Sequence, residues 1–549
     1  MERIIRKRPI SNMSAIERST CTENTAKTGS NPREGLCFDH ISFSYFEEAD
    51  PVLKDLSIHF RPGKISLITG PSGCGKSTLL FLAAGLYPEN GGYITSGEIR
   101  VKGNRIQDMS PEQRARTLRM VFQNADLQFC FHTVSRELIF SMETANLPPE
   151  SMPRRAKEAL SAVRLDGFGD RLITTLSGGE KQRLALACQL VSGAEWLLLD
   201  EIFNQVDPEQ TEELATLLLD LKNRYDLSLL VVDHDLRGWE GKADDYYLFD
   251  AAGNLLADPA ETKTFTSADW NRHGVIARGS VYPPPARGSL SGASPARSPI
   301  AAIHTERKEN RLDSDKLLTV KDLSVSYGDR KILDKLSFSL ERGRVYALTG
   351  RSGVGKSTLF EALAGFLPKE ARCRGQIAFW EGIKAAPRYR LIEKRISLRH
   401  GEHPIRFIFQ NPQDQFVADT VAEEVLFSLR RSIPEDAGKR EEIATLLLKR
   451  NDLWKVRRYA PFQLSEGQQR RLAVVSLLTE KTDLLLCDEP CYAQDYRRVS
   501  AIMDMLTEAA SERGTTVMFT THDMTVARHY ADVVLTLEGP SELRENRDA

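Results

Sequence analysis

The residues with the plainest chemistry come in matched sets. Gly70, Pro71, Ser72, Gly73, Cys74, Gly75, Lys76 and Ser77, followed by Thr78, fit G-x-x-x-x-G-K-[ST]. Gly350, Arg351, Ser352, Gly353, Val354, Gly355, Lys356 and Ser357, followed by Thr358, fit it again. Such a loop turns backbone N–H groups inward around phosphate oxygens, and the helix behind it adds its positive end. The lysine neutralises the outer phosphates, and the serine hydroxyl can ligate Mg²⁺. Each match follows a short apolar strand, "ISLITG" or "VYALTG", and precedes helical text, "LLFLAAGL" or "LFEALAGF". A glycine-rich turn without a ligand has no reason to keep that context twice.

Two further sets lie downstream. "WLLLDE" (Trp196–Glu201) and "LLLCDE" (Leu484–Glu489) end apolar strands in an acid pair. Asp200 and Asp488 suit direct or indirect Mg²⁺ coordination, and Glu201 and Glu489 stand where a carboxylate can polarise an attacking water. "LSGGEKQRLALACQL" (Leu176–Leu190) and "LSEGQQRRLAVVSLL" (Leu464–Leu478) each set a serine before small or polar residues and an amphipathic helix. Ser177 with Gly178 and Gly179, and Ser465 with Gly467 and Gln468, thereby form a second helix N-terminus with exposed amides.

These sets must be carried by a duplicated scaffold. Lys76 returns as Lys356, 280 residues on; Gln123 returns as Gln410 at 287, and Ser177, Asp200 and His234 return as Ser465, Asp488 and His522 at 288. Landmarks in one order at a nearly constant offset mean repeated domains. About seven extra residues of the second copy fall in "ARCRGQIAFWEGIKAAPRYR". Each copy opens with alternating text, "LCFDHISFSYF" or "LLTVKDLSVSYG", and ends with a further buried strand, "LSLLVVDHD" or "TTVMFTTHD". Buried strands alternating with helices predict an α/β fold with a mostly parallel sheet and ligands at the strands' C-terminal ends. The expected organisation is a flexible tail over 1–34, a first domain over 35–260, a Pro/Ser/Gly-rich flexible linker over 261–315, a second domain over 316–540 and a tail over 541–549.

The order of cradle, Gln, LSGGE or LSEGQ, acid pair and His resembles the ABC ATPase family, over roughly 450 residues of the chain. The resemblance implies two P-loop nucleotide-binding domains in tandem, each with a mostly parallel sheet core, an antiparallel β subdomain and a helical subdomain. It further implies that ATP and Mg²⁺ are bound between the cradle of one domain and the signature helix of the other, in an intramolecular pseudo-dimer. Tyr45 and Tyr327 look like the family's adenine-stacking aromatics. Gln123 and Gln410 resemble its Mg²⁺- and water-sensing glutamine, and His234 and His522 its γ-phosphate switch histidine. The chain departs from the family wording at Glu466, where glycine is usual, and at Glu180, where glutamine is common. "IFNQVD" and "PCYAQD" keep Asp207 and Asp495 but not the usual Ser-x-Leu-Asp.

"FQNADLQFCFHTVSRELIFSM" and "FQNPQDQFVADTVAEEVLFSL" look like the post-Gln segment of energy-coupling-factor and cobalt-type importer ATPases. That resemblance implies a multi-spanning transmembrane coupling protein and a small substrate-binding membrane protein as partners. It also implies a place at the cytoplasmic face of the membrane, with a vitamin, a vitamin precursor, Ni²⁺ or Co²⁺ as cargo. The main alternative is a soluble tandem translation factor acting on the ribosome. Such factors carry a charged helical linker and often a basic tail, which "LEGPSELRENRDA" is not. A fused sugar-importer ATPase lacks the "FQNPQDQF" wording, and a DNA-repair ABC protein carries zinc cysteines.

Bulk properties agree with a partner-dependent role. With 549 residues the chain exceeds what one core can hold. Its 74 Lys and Arg against 76 acids give a net charge of −2, which supplies no overall field for nucleic acid. The eight cysteines lack CxxC spacing, against zinc or a disulfide framework, and Cys74 and Cys487 read as reduced core thiols. No stretch approaches the roughly 20 apolar residues of a membrane helix, and the first residues lack a signal-peptide pattern.

Overall fold

The computed structural model describes residues 35–47, 50–203, 208–280, 282, 316–379, 391–392, 395–396, 405–479, 482–491 and 494–546. Each half is built on a six-stranded sheet. In the first half the order is Leu255–Ala257, Asp245–Phe249, Ile65–Thr69, Ser228–Val232, Trp196–Asp200 and Leu118–Val121. All neighbours are parallel except the Leu255–Ala257 edge. The second half repeats the arrangement from Ile405–Ile408 through Leu484–Cys487, Thr516–Thr520, Val345–Thr349 and Val533–Gly539 to Glu542–Asn546.

Strands covered on both faces need apolar residues at successive positions rather than at alternate ones. Ile65–Thr69, Trp196–Asp200 and Ser228–Val232 are accordingly buried at every position. Alternation survives in which face each side chain takes. Leu67, Leu197, Leu199, Leu229 and Val231 face a helical layer formed by Val134–Glu143, Met152–Ala162 and Gly178–Val191. Ile68, Trp196, Leu198, Leu230 and Val232 face an antiparallel sheet that includes Leu36–Ser44, Leu53–Phe60 and Tyr93–Val101. The expected parallel core, antiparallel subdomain and helical subdomain are present in both halves.

Two boundaries differ from expectation. The linker predicted from 261 is folded at its start. Pro259–Thr262 and Ser267–Arg272 are helices, each opened by a capping box, Asp258 with Glu261 and Thr266 with Asp269. Trp270, Val275 and Ala277 join the first half's core, and Tyr282 lies in the second half's core. Apolar residues upstream of the Pro/Ser/Gly run thus find partners, and the composition of the whole window hid them. The C-terminal tail predicted from 541 is an edge strand over Glu542–Asn546, laddered to Val533–Gly539. Residues 1–34 and 283–315, and most of the second copy's extra residues after Phe379, lie outside the described residues.

Candidate functional site

Each cradle joins the C-terminal end of a central strand to a helix. Gly70, Gly73 and Gly75 take φ of 144°, 85° and 98°, and Gly350, Gly353 and Gly355 take 143°, 74° and 112°. A side chain at Gly70 would come 2.5 Å from the carbonyl oxygen of Phe249, and one at Gly350 would come 2.4 Å from that of Leu537. The tight turn therefore demands glycine on both counts. Within it, the Lys76 ammonium donates to the carbonyls of Gly70 and Pro71 at 2.8 Å each. Lys356 does the same to Gly350 at 2.8 Å and Arg351 at 3.1 Å. Both lysines bend back over their own loop, with the charge where an anion would enter.

In the first half the predicted residues converge. Ser77 Oγ donates to Asp200 Oδ1 at 2.9 Å. Gln123 Nε2 donates to Glu201 Oε2 at 3.1 Å, and His234 Nδ1 lies 3.1 Å from Glu201 Oε1. The Tyr45 hydroxyl meets Thr78 Oγ1 at 2.6 Å, while its ring packs edge-on against Phe43 and Tyr87. Burial, with the neighbouring charge of Glu201, raises the Asp200 carboxyl to about 7 against the opposing Ser77 bond and Lys76. Burial disfavours the His234 imidazolium, but the charge and hydrogen bond of Glu201 outweigh it, lifting that pKa to about 9.

In the second half, His522 Nε2 lies 3.1 Å from Glu489 Oε1. Asp488 Oδ1 accepts from Thr520 Oγ1 at 2.7 Å, and the same hydroxyl accepts from the Glu489 N–H at 2.7 Å. Burial raises Glu489 to about 7, with Lys356 opposing and Asp488 reinforcing. Tyr327 packs against the second antiparallel core. Glu201 and Glu489 both take left-handed backbone conformations, with φ of 46° and 51°. A non-glycine residue there costs about 1–3 kcal/mol, and both halves maintain it where a carboxylate must leave the strand axis sharply.

The signature helices begin as predicted. Ser177 Oγ accepts from the Glu180 N–H at 3.3 Å, and Glu180 Oε2 accepts from the Ser177 N–H at 2.7 Å. Ser465 and Gln468 make the same reciprocal pair. Glutamate and glutamine thus serve one capping role, which accounts for the departure at Glu180. A side chain at Gly467 would meet Gln494 within 3.0 Å. Across the two halves, contact with the first cradle comes from the residues beyond the second acid pair. Asp495 Oδ2 accepts from the Ser72 N–H at 2.9 Å, and Arg498 Nη2 donates to the Ser72 carbonyl at 2.7 Å. The corresponding Asp207 lies outside the described residues.

Two site residues escaped the sequence reading. Asp233, buried between strand and His234, accepts from Trp239 Nε1 at 2.9 Å, and burial raises it to about 7. Its signal was an acid directly after an apolar strand. Arg470, 1% exposed, donates to the carbonyls of Glu489 at 2.6 Å and Gln410 at 2.8 Å. The first copy has Gln182 at that position, bonded to the Gln123 carbonyl at 3.3 Å. Aligning the two signatures residue by residue exposes the mismatch.

The donor set fits Mg²⁺. Ser77, Asp200 and Gln123, and likewise Ser357, Asp488 and Gln410, offer the oxygens a hard cation prefers. Buried Asp200 needs a positive partner to stay ionised near neutrality.

Known proteins resemble the chain in sequence and in fold. The ABC transporter family model matches residues 53–204 and 333–492. A Bacillus subtilis protein provisionally named HMP/thiamine import ATP-binding protein YkoD is 35% identical over 510 residues, covering 92% of this chain and 90% of its own. A Methanosarcina acetivorans protein, provisionally named an ABC transporter ATP-binding protein, is 30% identical over 536 residues, covering 91% of this chain and 84% of its own. A structure of the archaeal ribosome recycling factor aABCE1 with the stalk protein aP1 superposes with a TM-score of 0.54 at 20% identity, covering 92% of this chain and 89% of that one. That is a likeness of fold. With two matched phosphate cradles, two acid pairs and relatives along almost its whole length, the chain belongs to the ABC transporter family and is an ATPase with two ATP-binding domains in tandem.

Proposed function

We propose that this ATPase drives a membrane importer of the energy-coupling type, working through a multi-spanning transmembrane protein and a small substrate-binding membrane protein. A vitamin, its precursor or a transition-metal ion is the class of cargo. The observation that carries this reading is a groove in the first half between the parallel sheet and the helical layer. It has a volume of about 340 Å³ and is lined by Leu86, Phe122, Phe129 and Phe140, with Glu89 and Arg114 beside them. Arg119, Gln128, Glu137 and Ser141 also line it, and such a mixture of apolar and polar groups suits an amphipathic helix of a partner. It adjoins the post-Gln loop, where Leu127 is 81% exposed; the second half exposes Val417 at 67%.

The loops themselves are held stiffly. Glu137 Oε2 accepts from the N–H groups of Cys130 and Phe131, and Glu424 Oε2 from those of Val417 and Ala418, all at 2.8–2.9 Å. Glu137 and Glu424 are thus internal braces, while Glu423 stays exposed and, with the exposed apolar side chains, is left for a partner. The import name of the Bacillus subtilis relative supports the same direction. Among the described residues no helix is long and apolar enough to cross a membrane, so contact with the bilayer would come through partners at its cytoplasmic face.

In the reaction, Lys76 and Lys356 would meet the phosphate oxygens. Glu201 and Glu489 would take the proton of the attacking water, and His234 and His522 would hold those carboxylates in place. Magnesium held by the serine, glutamine and aspartate would neutralise developing charge on the phosphates. Photocrosslinkers at Leu127 and Val417, used in intact cells, test the assignment. Adducts with an integral membrane protein are the expected result. Adducts with ribosomal protein, together with co-sedimentation on ribosomes, would replace it with the translation-factor reading.

A further inference from the structure

The two switch histidines are each followed by an aspartate, and one arginine holds both. Arg237 Nε donates to Asp235 Oδ1 at 2.9 Å and Oδ2 at 3.0 Å, while its Nη1 donates to Asp523 Oδ2 at 2.9 Å in the other half. Asp235 directly follows His234, and Asp523 directly follows His522. Asp523 also caps the helix Met524–Tyr530 by accepting from the Thr525 and Val526 N–H groups. At the position matching Arg237 the second copy carries Thr525, so the bridge has no mirror image.

A second connection runs through the backbone. Ile276 N–H donates to the His234 carbonyl at 2.8 Å, and the Leu236 N–H donates to the Ile276 carbonyl at 2.7 Å. Two residues earlier, the Gly274 carbonyl accepts from the Tyr496 N–H of the second half at 3.2 Å. Tyr496 follows Asp495, whose carboxylate holds Ser72 of the first cradle. The segment behind His234 is therefore bonded to the second half at two independent points.

We propose that Arg237 is a positioning residue that ties the segment behind His234 to the segment behind His522, so that turnover at one ATP site depends on the state of the other. The arginine touches neither reacting atoms nor the cradle lysines. It acts through the histidines, each of which faces its own glutamate at 3.1 Å. Because the salt bridge crosses between halves, a shift of His522 on phosphate loss pulls on Asp523, Arg237 and Asp235 in turn. This rests on the reading that both sites hydrolyse ATP.

The test compares phosphate release by the full-length chain with that of Glu201→Gln and Glu489→Gln, each made with Arg237 intact and with Arg237→Ala. With Arg237 present, the summed turnover of the two single-glutamine variants should fall about tenfold below the parent. With Arg237→Ala, the sum should return to within about twofold of its own parent, and Arg237→Lys should restore part of the deficit. Asp523→Asn removes the negative charge that Arg237 meets in the other half, keeps a helix-capping oxygen and leaves Arg237 paired to Asp235, so it should lower the deficit in the same direction even where Arg237→Ala folds poorly. A deficit unchanged by Arg237→Ala and Asp523→Asn, or no deficit in the parent, overturns the proposal. Full turnover in either single-glutamine variant would instead remove the two-active-site reading beneath it.

Discussion

At the first cradle Glu201 is held by Gln123 and His234, with a second buried acid, Asp233, behind the histidine. At the second, threonine stands in place of that acid, and the buried Arg470 spans the backbone of Glu489 and Gln410. Both carboxylates, on the same left-handed turn, face their histidine at 3.1 Å, but Glu201 is also bonded by the Gln123 side chain while the Glu489 backbone is held by Arg470. Duplication preserved the cradle lysines, the acid pairs and the histidines and let their supports diverge. Sites that look equivalent by motif therefore need not respond equally to pH, to partner binding or to each other.

The comparison breaks first if the two glutamates are not both used. Replacing Glu201 and Glu489 together by glutamine should lower phosphate release by ~100-fold or more, the scale of a lost general base. Either replacement alone should remove at least about half. A sharper test exchanges supports. Arg470→Ala takes a donor from two part-buried carbonyls and should destabilise the second half by about 2 kcal/mol in urea unfolding, whereas Arg470→Gln, which imitates Gln182, should cost less than half as much. Asp233→Thr, which imitates the second half, removes the acceptor of Trp239 Nε1 and should cost about 1 kcal/mol, read as a lower thermal midpoint.

The smallest expected effect is the pH dependence of the cross-domain contact at Ser72. Burial works against ionised Asp495, but Arg498 and the N–H groups of Ser72 and Arg498 prevail, so its folded pKa lies below the ordinary 3.8. A depressed folded value means the contribution is complete above the unfolded pKa and fades as pH falls through the folded one. The difference in thermal midpoint between the parent and Asp495→Asn should be constant at neutral pH and should close below about 3.8. A difference that persists in acid would show that the Asp495 charge is not what joins Ser72.

Much of this was legible beforehand because it is local. A glycine-rich turn between strand and helix, an acid pair at the end of an apolar run, and a serine three residues before a glutamate or glutamine each carry their structure in a few neighbouring residues. Strands covered on both faces read as unbroken apolar runs. What stayed hidden depends on distant partners. Arg470 in a helix looks like a surface cation until the carbonyls it reaches are known. Arg237 has a partner 286 residues away. The folded start of the supposed linker was masked by averaging Trp270 and Val275 together with the Pro/Ser/Gly run that follows them.

Tyr282 leaves the first half yet stacks on Tyr496 with ring centroids 4.8 Å apart, and it meets Tyr530 at 5.8 Å. The later repeat therefore borrows an aromatic plug from the earlier one. Tyr282 is made before the second repeat, and a chain divided at 316 would leave its place beside Tyr496 and Tyr530 empty. A fragment that keeps residue 282 should fold more firmly than one that begins after it.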